Sequence, residues 1–156
     1  MHRHLLGAAL LGIACIVGPA VAQAPSAATA DELIAARQAN MAAQSSAIED
    51  MMLAIGAGTD ITRFKDTADT IAELGQAIPG LFAPGTESGH ATRALPKVWS
   101  DRVGFENLAA ELVGSAQLLS KAAVADDRAE FTRAWRATFA ACSACHMTYR
   151  GDRRTP

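Results

Sequence analysis

Two cysteines three residues apart, with a histidine directly behind the second, stand near the end of the chain as Cys142-Ser143-Ala144-Cys145-His146. This spacing is the attachment pattern of a c-type haem. Each thiol can add across one porphyrin vinyl group, giving a thioether that fixes the ring to the backbone. On a helix, Cys142 and His146 are four residues apart and share a face. The Cys142 and Cys145 sulfurs then hold the ring edge while the His146 imidazole reaches the iron as its proximal axial ligand. The cofactor expected is one haem c.

Three other uses of these side chains compete with that one. A dithiol redox pair sits between a strand and a helix, but here both flanks read as helix. A structural zinc needs four N/S ligands. Once an export leader is removed, only Cys142, Cys145, His90 and His146 remain for that set, and His90 lies in a distant Gly/Pro loop. A disulfide between Cys142 and Cys145 would strain a helix.

The helices that must carry this motif can be read from the start of the chain. His2, Arg3 and His4 precede an apolar run from Leu5 to Val17, too short to cross a bilayer. Ala20-Val21-Ala22 follows as a cleavage site, so residues 1–22 read as a secretory signal peptide and the mature chain begins at Gln23. Cys15 leaves with the signal. Export suits the motif, because bacterial haem attachment takes place outside the cytoplasm. Residues 23–156 then form one domain, the scale expected of a single core.

That domain reads as all-α. Thr29 and Glu32 make a capping box. Ile34, Met41, Ile48 and Ile55 recur every seven residues as a bundle seam, with Met51 and Met52 also read as core. Gly56 and Gly58 end this helix. Asp60 caps a second, with Ile61, Phe64, Ala68, Ile71, Leu74 and Ile78 at helical spacing, and Pro79-Gly80 is expected to stop it. Leu81 to Ser100 reads as one long irregular connection. The third helix starts near Ser100 or Asp101 and carries Phe105, Leu108, Leu112, Leu119 and Ala122. The fourth runs from Arg128 to Arg150, with Phe131, Trp135, Phe139, Cys142, His146 and Tyr149 on one face. Four amphipathic helices give an antiparallel four-helix bundle, which can bury a flat cofactor between facing helices.

Charge narrows the partners. The chain has 156 residues and a formal net charge of −2, with 19% charged residues. That balance points to neither nucleic acid nor an anionic membrane surface, and the mature chain holds no membrane span. No nucleophile–base pair, carboxylate dyad or phosphate loop suggests an enzyme.

Across the mature sequence the chain resembles the cytochrome c′ family. Cys142-x-x-Cys145-His146-x-x-Tyr149-Arg150 matches the family's haem-binding end. Arg37-Gln38 followed by Met41 matches its Arg-Gln stretch and distal position. Ala83-Pro84-Gly85-Thr86-Glu87, then Pro96-x-x-Trp99, matches its Pro-Gly-Thr loop and the approach to the third helix. The resemblance implies an up-down-up-down bundle with haem near one end, a periplasmic location, and a homodimer through the first two helices. It implies that Arg37 and Gln38 lie near a haem propionate, and that Thr86 and Glu87 approach the haem edge from the loop.

What faces the iron opposite His146 decides the function. A Met thioether gives a six-coordinate iron of raised potential, suited to electron transfer. Met41 is the candidate, four residues after Arg37 on the same face, at the position the family uses as distal. The expected protein is an exported electron carrier with His146/Met41 ligation and a redox partner protein of unknown identity. The alternative is a five-coordinate cytochrome c′ that binds NO or CO, with Met41 only a lid. Mass spectrometry of the exported protein should find a chain starting at Gln23 and heavier than the polypeptide by one haem. Cys142→Ala or Cys145→Ala should leave only one thioether.

Overall fold

Thr29 starts the first helix as predicted. Its hydroxyl accepts the Glu32 N–H and the Glu32 carboxylate accepts the Thr29 N–H at 2.7 Å, which closes the capping box. The computed structural model describes residues 28–87 and 92–152. The signal read over residues 1–22, with Cys15, and the loop histidine His90 lie outside the described residues.

Helix α1 spans Ala30–Ala57 and ends at Gly58, whose φ of 66° is the left-handed conformation that glycine adopts without penalty. Asp60 accepts the Thr62 N–H at 2.8 Å and opens a short 3₁₀ turn, Thr62–Phe64, which feeds α2 (Lys65–Leu81). Pro79-Gly80 does not stop α2 where the sequence predicts. A proline in the last turn removes only one backbone bond, and the Arg102 guanidinium donates to the Pro79 and Phe82 carbonyls at 2.7 and 3.0 Å. The connection after it is less irregular than expected, because Lys97–Ser100 forms a short helix α3. Helix α4 spans Arg102–Val124 and α5 spans Arg128–Tyr149, the latter capped by Asp127 through the Glu130 N–H at 3.0 Å.

The four long helices form the bundle. Helix α4 packs along both α2 and α5, while α1 touches α2 and α5 more sparingly. Helices α1 and α5 run antiparallel. The Arg128 guanidinium at the start of α5 donates to the Gly58 and Thr59 carbonyls at the end of α1, and the Trp135 indole donates to the Ile48 carbonyl at 2.9 Å. The start of α1 therefore lies beside the end of α5.

Burial follows the predicted seams with two exceptions. Met52 is 48% exposed, because Met51 takes the inward position and neighbouring residues on a helix point about 100° apart. Phe139 is 52% exposed, stacked on the half-buried Trp135 at 5.6 Å between ring centres. It precedes the cysteines on α5 and lines the rim of the cavity described below.

An aromatic cluster fills the end of the bundle near the close of α5. Phe105 meets Phe82 edge-on at 5.0 Å and Tyr149 at 5.3 Å. The Tyr149 hydroxyl donates to Asp101 at 2.8 Å. Gly104 permits this approach, since a Cβ there would lie 2.6 Å from the Tyr149 oxygen and 2.7 Å from an Asp101 oxygen. Tyr149 is 4% exposed and its ring is wedged on Phe105, so it cannot retreat. Gly104→Ala should therefore cost about 1–3 kcal/mol in chemical denaturation, the usual range for overpacking. Gly114, in the middle of the same helix with no atom within 4 Å of an added Cβ, should gain about 0.5–1 kcal/mol as Ala.

Candidate haem site

The end of α5 is tied down by the crossover segment. The Leu95 N–H donates to the Tyr149 carbonyl at 2.9 Å, and the Gly151 N–H to the Arg93 carbonyl at 2.7 Å. The Arg93 side chain donates back to the Gly151 carbonyl at 3.0 Å. These bonds flank an antiparallel bridge between Ala94 and Arg150. The last turn of α5 is thus held in place rather than left to fray.

Along α5, Phe131, Ala134, Thr138 and Ala141 are buried, whereas all five residues from Cys142 to His146 are half-buried. Of these, Cys142, Ser143, Cys145 and His146 line a cavity of about 710 Å³ between α1, α4 and α5. Its other walls include Met41, Gln44, Ile48 and Ile78, with Leu112 and Phe139. A second hollow of about 240 Å³ adjoins it, walled by Arg37, Gln38, Phe82, Val98, Phe105 and Tyr149 among others. Met41, Arg93, Cys145, His146 and Arg150 line both. The sparse packing of α1 on α5 is the counterpart of this space.

The reactive groups are held neutral. Both cysteines are free thiols. Burial pushes the Cys142 thiol up, opposed by a backbone hydrogen bond. Burial, then the neighbouring Cys142, pushes Cys145 up to about 11, against the pull of Arg150. Burial lowers the His146 pKa, with the positive charges of Arg150 and Arg93 adding to it. A ligating imidazole must be deprotonated, and these causes all favour the neutral ring.

Arg37 is 4% exposed in the first half of α1. Its guanidinium donates to the Thr86 hydroxyl at 3.1 Å, the Thr86 carbonyl at 3.2 Å and the Thr92 hydroxyl at 2.5 Å, and lies 4.6 Å from the centre of the Phe82 ring. Every one of these partners is neutral. Burial lowers its pKa, as it does for a cation moved out of water. Gln38 is exposed beside it at the wall of the smaller hollow. The two loop residues are placed differently from each other. Thr86 is 1% exposed and spends its oxygens on Arg37, and Glu87 is exposed. Neither lines either hollow. Thr86 of the Pro-Gly-Thr loop thus touches Arg37, which lines the smaller hollow.

Two wall or near-wall residues were not singled out in the sequence. Asn40 and Gln44 are 6% and 4% exposed and hydrogen-bonded to each other on the inner face of α1. Their spacing from Arg37 and Ile48, in steps of three and four, is the signal that could have found them. Among the described residues, no three His, Cys, Asp or Glu side chains gather as a metal set; His90 of the competing zinc set lies outside them.

A porphyrin bearing propionates fits what is present. The hollows are of cofactor scale and largely apolar. Two thiols and one neutral imidazole project from a single helix end, and nearby lies the buried Arg37 cation, whose partners among the described residues, Thr86, Thr92 and Phe82, are neutral. The comparisons agree. The family profile described as Cytochrome C′ matches residues 32–150. The cytochrome c′ of Rubrivivax gelatinosus is 38% identical over 69 residues, which is 44% of this chain and 54% of that protein's length. The crystal structure of cytochrome c′ from Thermochromatium tepidum superposes with a TM-score of 0.75 at 26% identity, covering 80% of this chain and 98% of that one. A nitric oxide complex of a variant cytochrome c′ from Alcaligenes xylosoxidans gives 0.74 at 26% identity, covering 82% and 100%. With the matched profile running from the first turn of α1 to the residue after α5, this chain belongs to the cytochrome c′ family, whose members carry a c-type haem attached covalently through cysteines.

Proposed function

We propose that the chain is a periplasmic electron carrier whose haem is tethered through Cys142 and Cys145 and whose iron takes His146 and Met41 as axial ligands. The observation that supports this best is the place of Met41. It is half-buried, and it is the α1 residue that lines both hollows together with His146. Because α1 and α5 run antiparallel, with Ile48 beside Trp135, Met41 lies at the level of the last turns of α5. When bound, the haem supplies a reversible one-electron couple.

Each remaining residue has a part that its own chemistry sets. Cys142 and Cys145 hold the ring edge to α5. His146 keeps its lone pair unprotonated. Arg37, with Gln38 beside it, sets a buried positive charge against a propionate, and Thr86 aims that charge. Glu87 stays at the loop surface. The apolar walls around Ile48, Ile78 and Leu112 exclude water. No step here turns over a substrate, and the exchange is with a redox partner protein. Residues 1–22 would be removed on export, leaving residues 23–156 as the haem domain. No helix among the described residues is long and apolar enough to cross a membrane. The outward Met52 and Leu53 of α1, 48% and 65% exposed, suit a homodimer through α1 and α2.

A second reading keeps Met41 as an unbonded lid over an iron that takes up NO or CO. The nitric oxide complex solved for the Alcaligenes xylosoxidans relative favours it. Visible spectra separate the two. Under the first reading the wild-type ferrous protein is low-spin and indifferent to CO, and Met41→Ala becomes CO-reactive with a lowered potential. A wild-type protein that binds CO, and keeps its spectrum in Met41→Ala, would establish the second. In both, His146→Ala should lose the native ligation while the thioether mass remains.

A further inference from the structure

Gln44 is a polar side chain in an otherwise largely apolar stretch of the larger cavity wall. It stands three residues after Met41 on the same inward face of α1, and it is 4% exposed. Its amide is fixed by a chain of bonds whose direction can be read. The Leu74 backbone carbonyl can only accept, so Asn40 must present its Nδ2 there, at 2.9 Å. The Asn40 Oδ1 is then left to accept, and Gln44 must present its Nε2 to it, at 2.5 Å. One Nε2–H of Gln44 is thereby committed. The amide retains a second N–H and the Oε1 acceptor.

From this relay we infer that Gln44 is a hydrogen-bonding residue for small polar ligands on the side of the haem opposite His146, with Asn40 as its positioning residue. The ligand class is a diatomic or monatomic species that accepts a hydrogen bond. The inference rests on the haem reading above, with His146 on the other side of the ring. In the wild-type protein it takes effect only where Met41 leaves the iron open; the Met41→Ala background exposes it under either reading. A polar amide held rigidly at a cavity wall is worth more to a ligand than a mobile one, because its ordering cost is met in the fold. A leucine or methionine at the same place would fill the space and offer no donor.

The test uses the full haem-loaded protein in the Met41→Ala background, where the distal position is open under either reading. Two measurements are made: the C–O stretch of the ferrous CO complex, and the affinity of the ferric form for fluoride. Adding Gln44→Met should raise the stretch frequency and weaken fluoride binding by about threefold to tenfold, the equivalent of one hydrogen bond. Asn40→Ala should shift both in the same direction, and should do nothing further once Gln44 is already Met. An unchanged stretch and unchanged fluoride affinity in Gln44→Met overturns the assignment. A haem-loaded Met41→Ala protein that forms no CO complex has no open distal position and overturns this inference, whereas a chain that takes up no haem overturns the haem reading.

Discussion

A single helix has to close a protein core and also hand a histidine to a cofactor, and no one face of it can do both along the same turns. Helix α5 divides the tasks by length. Its first half buries Phe131, Ala134, Thr138 and Ala141. Its last turns, Cys142 to His146, stand half-buried at a hollow that the bundle leaves open. The other helices follow from this division. Helix α4 packs tightly enough on α2 and α5 to carry the core, so that α1 can stand off and leave room. The aromatic cluster of Phe82, Phe105 and Tyr149 closes the end where that room would otherwise open to solvent.

Arg37 is the second tension in the design. A cation buried among neutral partners is unfavourable unless an anion completes the set. Its present bonds run to Thr86 and Thr92, both in the connection between α2 and α3, and its plane rests on Phe82 at the end of α2. One side chain thus joins α1 to the loop that frames the smaller hollow. The charge and the hollow are built by the same contacts.

Much of this was readable in the residues, for reasons that differ by kind. The four long helices were legible because their caps are local: Thr29 with Glu32, Gly58 and Asp127 each act within a few residues. The end of α2 was not, since its carbonyls are met by Arg102, which lies 23 residues beyond Pro79. The Cys142-x-x-Cys145-His146 cluster announces its chemistry by spacing alone. Arg37 would by default be read as a surface charge, and only the family resemblance drew it inward. Resemblance puts Thr86 near the cofactor edge, and its oxygens bond Arg37, which lines the smaller hollow. Asn40 and Gln44 escaped notice because a buried amide is allowed only by its partners. The one that anchors this pair is a backbone carbonyl 34 residues away from Asn40.

The short ladder between the crossover and the end of α5 bears on the order of assembly. Arg93 and Gly151 are 58 residues apart, so their pairing carries a loop-closure cost that each helix avoids by bonding locally. Helices therefore gain their bonds early and the strap is fastened late. A nascent chain whose last helix has formed, but whose strap has not, leaves both thiols accessible from outside. Even in the finished fold the half-buried Cys142 and Cys145 stand at the cavity whose Arg93 and Gly151 side is fastened by that strap.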